Sequence, residues 1–232
     1  LAQFADVVTV NSGKVGIGTS SPTVLLDLES ASPIIRLTDS DASGTPECQV
    51  SGAGGDLIFD ADRDNEKASS LMAFKVDGSE RMRIDATGAV TMPHQPAFLV
   101  KPNTEQSNIA LASNVTVLFQ TEIFDQNADF ANNTFTAPVA GKYQLNFSLY
   151  LKDINDAYQY IYARIQTSNR NYEVEIYPST IFNSDGRITV GAGFLADMDA
   201  SDTAFVTVQV PNTGSAQMDI VVYSSFSGYL VA

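Results

Sequence analysis

The chain has 232 residues, 44% of them apolar, with 13 Lys and Arg against 27 Asp and Glu and a formal charge of −14, which allows a real core in one or two domains. Acid predominates on both sides of Pro96, with 7 basic against 14 acidic residues up to it and 6 against 13 beyond. Nucleic acid and anionic membranes both call on Lys and Arg, so neither is an expected partner, and a single Cys leaves no disulfide within the chain and no thiolate set for structural zinc.

No apolar stretch approaches the roughly 18 residues of a membrane span, so membrane insertion is not expected. The opening LAQFADVVTVNSGKVGIG lacks the segments of a signal peptide. A start at Leu1 reads as a piece or a processed product of something longer.

Residues 1–96 hold short apolar bursts, VVTV, VGIG, LLDL, IIRL, DLIF and RMRI, cut by Gly, Pro, Ser or Asp, which read as brief strands. Only Asn65 to Lys75 could hold a turn or two of helix. Asn11-Ser-Gly-Lys-Val-Gly-Ile and Asp85-Ala-Thr-Gly-Ala-Val-Thr echo one another, each placing a polar turn and a Gly before a short apolar pair. Strands this short give one chain little surface for its own core, and exposed edges invite pairing. Several identical chains wound around one axis would solve both problems, so this part is expected to be an oligomeric, intertwined β stalk.

Pro93-His94-Gln95-Pro96 reads as the linker. Beyond it, longer runs alternate with period two: Val115 to Phe124, Lys142 to Leu151, Tyr158 to Gln166, Gly191 to Ala196, Thr203 to Val210 and Met218 to Ala232. Tyr143, Leu145, Phe147, Leu149 and Leu151 share one strand face, and Lys142, Gln144, Asn146 and Ser148 the other. That is the pattern of an antiparallel sheet buried on one side and wet on the other. About eight such strands in roughly 135 residues predict an all-β, double-sheet jelly roll over 97–232.

Three stretches of this part carry a family resemblance: the run from Phe124 through Phe135-Thr-Ala-Pro, Gly141-Lys-Tyr and into Phe147, the closing Ser225-Phe-Ser-Gly-Tyr-Leu-Val, and the opening Pro96-Ala-Phe. Together they resemble the globular head of complement component one-q and, more distantly, the tumour necrosis factor jelly rolls. The family's Lys-Asn-Gly turn would fall at Thr167-Ser-Asn-Arg170, so a partner contact made there is not carried over. The resemblance implies a ten-stranded sandwich that forms a homotrimer, with Phe98, Phe135, Phe194, Phe226 and Tyr229 as candidates for the inner sheet or the trimer interface. Aromatic residues dominate cores and interfaces alike, so packing within one chain is the competing reading of these five.

Val15-Gly-Ile-Gly-Thr-Ser-Ser-Pro and the run from Phe74-Lys-Val-Asp-Gly to Asp85-Ala-Thr-Gly-Ala-Val look like segments that recur in bacteriophage tail fibres and in large bacterial surface proteins. In such fibres they lie in trimeric shafts ahead of a distal domain that meets the host. The implied protein is the distal part of a homotrimeric tail fibre at the virion tip, joined to the rest of the fibre, whose head binds a host cell-surface receptor, either a glycan or an outer-surface protein. A bacterial cell-surface adhesin of the same architecture is the alternative. A secreted animal relative is disfavoured by the missing collagen Gly-x-y tract, so the sequons at Asn114, Asn132 and Asn146 carry no weight.

Little points to chemistry. The one His, His94, lies between prolines in the linker, and a triad base must be held rigidly. Cys48 has no basic neighbour to activate it. Asp60, Asp62 and Asp64 imitate the opening of a calcium loop, but Asn65 stands at the Gly position and Leu71 at that of the bidentate Glu. Asp197, Asp199 and Asp202 form a second acidic turn with no ligand motif. No enzyme, metal or cofactor is expected; paired carboxylates could make a glycan depolymerase, the least favoured reading.

The remaining feature is Tyr158-Gln-Tyr-Ile-Tyr-Ala-Arg-Ile. With Ile161, Ala163 and Ile165 inward, period two sends Tyr158, Tyr160, Tyr162 and Arg164 outward on one face. Tyr and Arg are enriched where proteins meet partners, and these four are the receptor-binding candidates. A cross-strand aromatic ladder that stiffens the sheet and a site on loops near the tip are the rival readings.

Overall fold

A computed structural model describes residues 8–154, 158–178, 186–210 and 217–232; Val7, in the first apolar burst, lies outside them. Every element with defined bounds among these residues is a strand. The chain divides into two compact units, Leu1–Met92 and Pro93–Ala232.

The first unit holds β1 (Val8–Asn11), β2 (Lys14–Ile17), β3 (Leu26–Leu28), β4 (Ile34–Thr38), β5 (Glu47–Ala53), β6 (Asp56–Ala61), β7 (Met72–Val76), β8 (Ser79–Ile84) and β9 (Val90–Thr91). They form three separate three-stranded sheets, β1-β2-β3, β4-β5-β6 and β7-β8-β9. Each contains a hairpin closed by two residues of positive φ: Ser12-Gly13, Gly54-Gly55 and Asp77-Gly78. Two such residues give the turn whose twist matches the flanking strands. The strands of the expected intertwined stalk therefore find their pairing partners within the chain. Asn65 to Lys75, which could hold a turn or two of helix, is instead a loop closed by Asp62 that leads into β7 at Met72.

What this unit lacks is a second layer. Facing residues across a ladder point to the same side, so the registers give each sheet one apolar face. Val10, Val15 and Leu26 share a face of the first sheet; Leu37, Cys48, Val50 and Phe59 of the second; Phe74 and Met82 of the third. The opposite face of the second sheet carries Arg36 paired to Glu47 at 3.1 Å, and Gln49 donating to Glu47 at 2.7 Å. Yet among residues 8–92 only Gly16, Pro22 and Gln49 are buried, and no apolar side chain of the core comes before Phe98.

The second unit holds β10 (Ala97–Lys101), β11 (Asn114–Thr116), β12 (Thr121–Asp125), β13 (Phe130–Ala131), β14 (Thr134–Thr136), β15 (Gly141–Lys152), β16 (Ile161–Thr167), β17 (Asn171–Ile176), β18 (Ile188–Met198), β19 (Thr203–Gln209), β20 (Asp219–Ile220) and β21 (Ser225–Leu230). One sheet runs β12-β10-β21-β15-β18 with β20 beside β15; the other runs β13-β14-β19-β16-β17 with β11 beside β19. All pairs are antiparallel. Between the sheets lies one apolar core, with Tyr143, Leu145, Leu149, Leu151 and Phe226 from the first and Phe135, Ile161, Ile165, Val206 and Val208 from the second. This is the double-sheet jelly roll that the alternation predicts.

Two predicted strands are split. Val115 to Phe124 becomes β11 and β12, because the chain crosses from one sheet to the other at 117–120 and must bury Val117 and Phe119 on the way. Side chains take over the backbone hydrogen bonds there: Gln106 Oε1 accepts from Leu118 N at 3.0 Å and Asn133 Oδ1 from Phe119 N at 2.7 Å. Met218 to Ala232 becomes β20 and β21, both paired to β15, with the Ser224 hydroxyl accepting from Tyr150 N at 2.9 Å in the interval.

The Pro93–Pro96 segment is not a free linker. Gln95 donates to the Leu230 carbonyl at 2.9 Å, Leu230 N donates to the Pro96 carbonyl at 3.0 Å, and Asn127 donates to the His94 carbonyl at 3.0 Å. It docks on the jelly roll through its backbone carbonyls and the Gln95 side chain, which composition does not reveal.

Candidate functional site

The tyrosine-rich run lies at β16, flanked by β17 and β19 in the second sheet. Ile161, Ala163 and Ile165 are fully buried, so alternation turns Tyr162, Arg164 and Gln166 to the outer face. Tyr160, one residue before the strand, is half-buried and joins that face: its ring centroid is 4.9 Å from that of Tyr162 and 6.5 Å from that of Tyr177. Tyr158 does not. It is only 3% exposed and belongs to the core. β16 begins at Ile161, so period two does not extend back to Tyr158, and the aromatic side chain turns inward.

Arg164 orders the patch. Its guanidinium carbon lies 4.4 Å from the Tyr162 ring centroid, within cation–π range. The same group pairs with Glu173, its cross-strand neighbour, and donates to Gln209 Oε1 of β19 at 2.7 Å. Arg164 thus ties three strands. Under it, Thr207 is 1% exposed and its hydroxyl oxygen has no hydrogen-bond partner. On β17, Glu175 faces Tyr162 and accepts from the Tyr177 hydroxyl at 2.9 Å. Partial burial, reinforced by Glu175, pushes the Tyr162 hydroxyl up, and the hydrogen bond to Glu175 does the same for Tyr177. Both phenols stay protonated, and the Tyr177 proton is committed to Glu175.

The result is an ordered surface of three phenol rings, with Tyr160 tilted 59° to Tyr162 and 60° to Tyr177, one guanidinium and two carboxylates, carried on β16, β17 and the residues beside their ends. Tyr177, Glu173, Glu175 and Gln209 complete it and are absent from the sequence-based candidates. A signal for β17 exists: in Asn171–Ile176, Tyr172, Val174 and Ile176 alternate with Glu173 and Glu175. The two carboxylates are engaged by Arg164 and Tyr177.

The five aromatic candidates for the inner sheet or the trimer interface separate. Phe98 and Phe226 lie on β10 and β21 of the first sheet but point into the core, with ring centroids 5.0 Å apart. Phe135 lies on β14, in the second sheet, stacked at 4.7 Å on Phe98. Phe194 is half-buried, 5.3 Å from Tyr172. Tyr229, 50% exposed, stands on the outward face of the first sheet, paired with Ala97 and Gln144 and near exposed Leu195.

The acidic turns serve the backbone. Asp62 accepts from the Ser70 hydroxyl, from Lys67 N at 3.2 Å and from Glu66 N at 3.0 Å, and these bonds, the Ser70 one foremost, hold its carboxyl below its ordinary value while burial opposes them. Asp202 accepts from Asp199 N at 2.8 Å and from Asn169 at 2.9 Å, and Arg170 donates to Asp197 at 2.6 Å. Among the described residues no three His, Cys, Asp or Glu side chains gather where a metal ion could be held.

The comparisons with known proteins fall on the same region. The family model described as the C1q domain matches residues 97–231. Among solved structures, the globular domain of zebrafish complement 1qA protein is 22% identical with a TM-score of 0.44, covering 60% of this chain and 98% of that one. A crystal structure of murine APRIL is 9% identical with a TM-score of 0.44, covering 59% and 99%. No curated protein matches the chain. Over half of the chain is thus matched by one family model, and the chain belongs to the C1q domain family.

Proposed function

We propose that the chain is the distal, receptor-binding part of a phage tail fibre, with a trimeric head at residues 97–232 carried on shaft segments at 1–96 and sited at the virion tip. C1q domains are generally non-enzymatic binding modules and are often trimeric, and adsorption to a host needs no covalent chemistry. The observation that carries the binding site is the ordered Tyr160, Tyr162, Tyr177 and Arg164 face. Such rings can stack on the apolar face of a sugar or on a protein side chain while their hydroxyl oxygens accept hydrogen bonds. Such side chains, held by one another and by Arg164, lose little further freedom on binding. Three heads per fibre multiply weak contacts through effective concentration.

Binding of the purified chain to host cells tests this. Tyr162→Ala is expected to weaken attachment by roughly tenfold or more, the loss typical of an aromatic anchor, with the fold intact by circular dichroism. Attachment unchanged in a folded variant removes the site. The same architecture on a bacterial envelope would make an adhesin, and the genes beside this one separate the two readings.

A further inference from the structure

The outer face of β16 and β17 selects a partner by what it leaves unmet. Its strongest donors are committed inside the patch: Arg164 gives Nε to Glu173 and Nη1 to Gln209 at 2.7 Å, and the Tyr177 hydroxyl gives its proton to Glu175 at 2.9 Å. Acceptors remain. Among the described residues Glu173 accepts only through Oε2 and Glu175 only through Oε1, so each carboxylate keeps an oxygen for a partner, and the phenol oxygens keep lone pairs. Charge points the same way. Arg164 is paired with Glu173, and Arg170, in the turn between the two strands, with Asp197, whereas Glu175 takes part in no ion pair among the described residues. Beyond Pro96, 13 acidic residues stand against 6 basic ones.

We propose that this face takes a cationic side chain, Lys or Arg, of a protein on the host surface, its charge set against Glu175 and a phenol ring. The inference rests on the binding site proposed above and names the partner of that site. A Lys or Arg head group donates hydrogen bonds and accepts none, which suits a face rich in open acceptors, and its methylene stem packs along aromatic rings. The chain already shows this chemistry once, in the Arg164 guanidinium 4.4 Å from the Tyr162 ring centroid. A sugar fits less well. Its hydroxyls need donors as well as acceptors, and rings tilted by 59° and 60° make no common platform for it. The excess of acid on the chain also draws a cationic partner in and turns an anionic glycan away.

The full chain with isotope-labelled tyrosine, titrated with Nα-acetyl-lysine amide, Nα-acetyl-arginine amide or the neutral probe methyl glucoside, tests this by nuclear magnetic resonance. At least one of the two cations is expected to move the ring signals that Tyr160→Phe and Tyr162→Phe identify, and the glucoside to move neither. Silence from both cations, or shifts from the glucoside, overturns the proposal. Glu175→Gln keeps an oxygen to accept from the Tyr177 hydroxyl and removes only the charge; it is expected to weaken attachment to host cells by roughly 3–10-fold. Attachment is also expected to fall with rising ionic strength and after protease treatment of the cells. Loss after periodate oxidation of the cells but not after protease identifies a glycan and overturns the proposal. Attachment that Tyr162→Ala lowers and Glu175→Gln leaves unchanged overturns the cationic partner and keeps the site. Attachment unchanged in both removes the site as well.

Discussion

Residues 8–92 and the C1q domain use the same local devices and reach opposite states of burial. Both are built of antiparallel hairpins, and both close some of them with two residues of positive φ, Ser12-Gly13 and Asp77-Gly78 in the first and Asn132-Asn133 in the second. Among the described residues, the two sheets of the C1q domain enclose 28 apolar side chains between Phe98 and Phe226, whereas the first region has strands, turns and apolar faces but contributes no side chain to an apolar core. The difference teaches that pairing strands and closing a core are separate tasks. Pairing satisfies backbone hydrogen bonds and needs only a turn. Closing a core needs a second layer, which a three-stranded sheet cannot provide for itself.

The contrast can be broken most directly through matched truncations. Phe98→Ala removes a ring stacked on Phe130 and Phe135 and set edge-on to Phe226 and is expected to cost about 3–5 kcal/mol in denaturant unfolding of the C1q domain. Phe59→Ala, the same chemistry on an open face, is expected to shift the unfolding of residues 8–92 by an amount that depends on protein concentration; no such dependence would mean the first region does not assemble.

Glycine substitutions sharpen the contrast further. A methyl at Gly228 would stand 2.6 Å from Leu145 Cδ2 and 2.8 Å from Phe98 Cε1, so Gly228→Ala is expected to cost ~1–3 kcal/mol by overpacking. Gly78 faces open space at φ +76°, and Gly78→Ala is expected to cost about 1–2 kcal/mol from backbone strain alone. Thermal melts of both variants measure the difference in cause, since only the first is relieved by Leu145→Ala.

Acid is the next lever. Burial pushes the Asp219 carboxyl up, but the Asn108 N–H at 2.7 Å and the Lys152 ammonium at 3.4 Å outweigh it and hold the group below its ordinary value. A lowered native pKa stabilises the fold fully above the unfolded carboxylate value of about 4, and that stabilisation is lost as pH falls through the native value. Asp219→Asn is expected to flatten the acid limb of the C1q domain's stability curve in chemical denaturation. Asp85, held low by hydrogen bonds from Thr87 and Ala89 in a half-buried surface turn with no ammonium beside it, is expected to contribute less when replaced by Asn.

The smallest expected effect on stability is at the binding face. Tyr160→Ala is expected to change the unfolding free energy by under ~1 kcal/mol, the scale of a cross-strand pair, while lowering attachment to host cells. A larger loss of stability with unchanged attachment would make the aromatic ladder a structural device.

The alternation in Gly141 to Leu151 announced β15 and its buried face, and the motif from Phe124 to Phe147 announced the family. The outward placement of Tyr162 and Arg164 was equally readable from Ile161, Ala163 and Ile165. Tyr158 was not, because parity counts only inside a strand and the chain turns before Ile161. Glu173, Tyr177 and Gln209 escaped notice because they reach the patch from neighbouring strands, β17 and β19, and nothing local in the sequence states which strands lie side by side.

What the sequence by itself determined is local: where the strands run, which side of each is apolar, where the two-residue turns fall and that charge stays on wet faces. All of these depend on residues a few positions apart. Only the tertiary structure decided which apolar faces are covered, since coverage depends on where a second sheet comes to lie. The C1q domain brings that sheet from elsewhere in its own chain, and residues 8–92 do not.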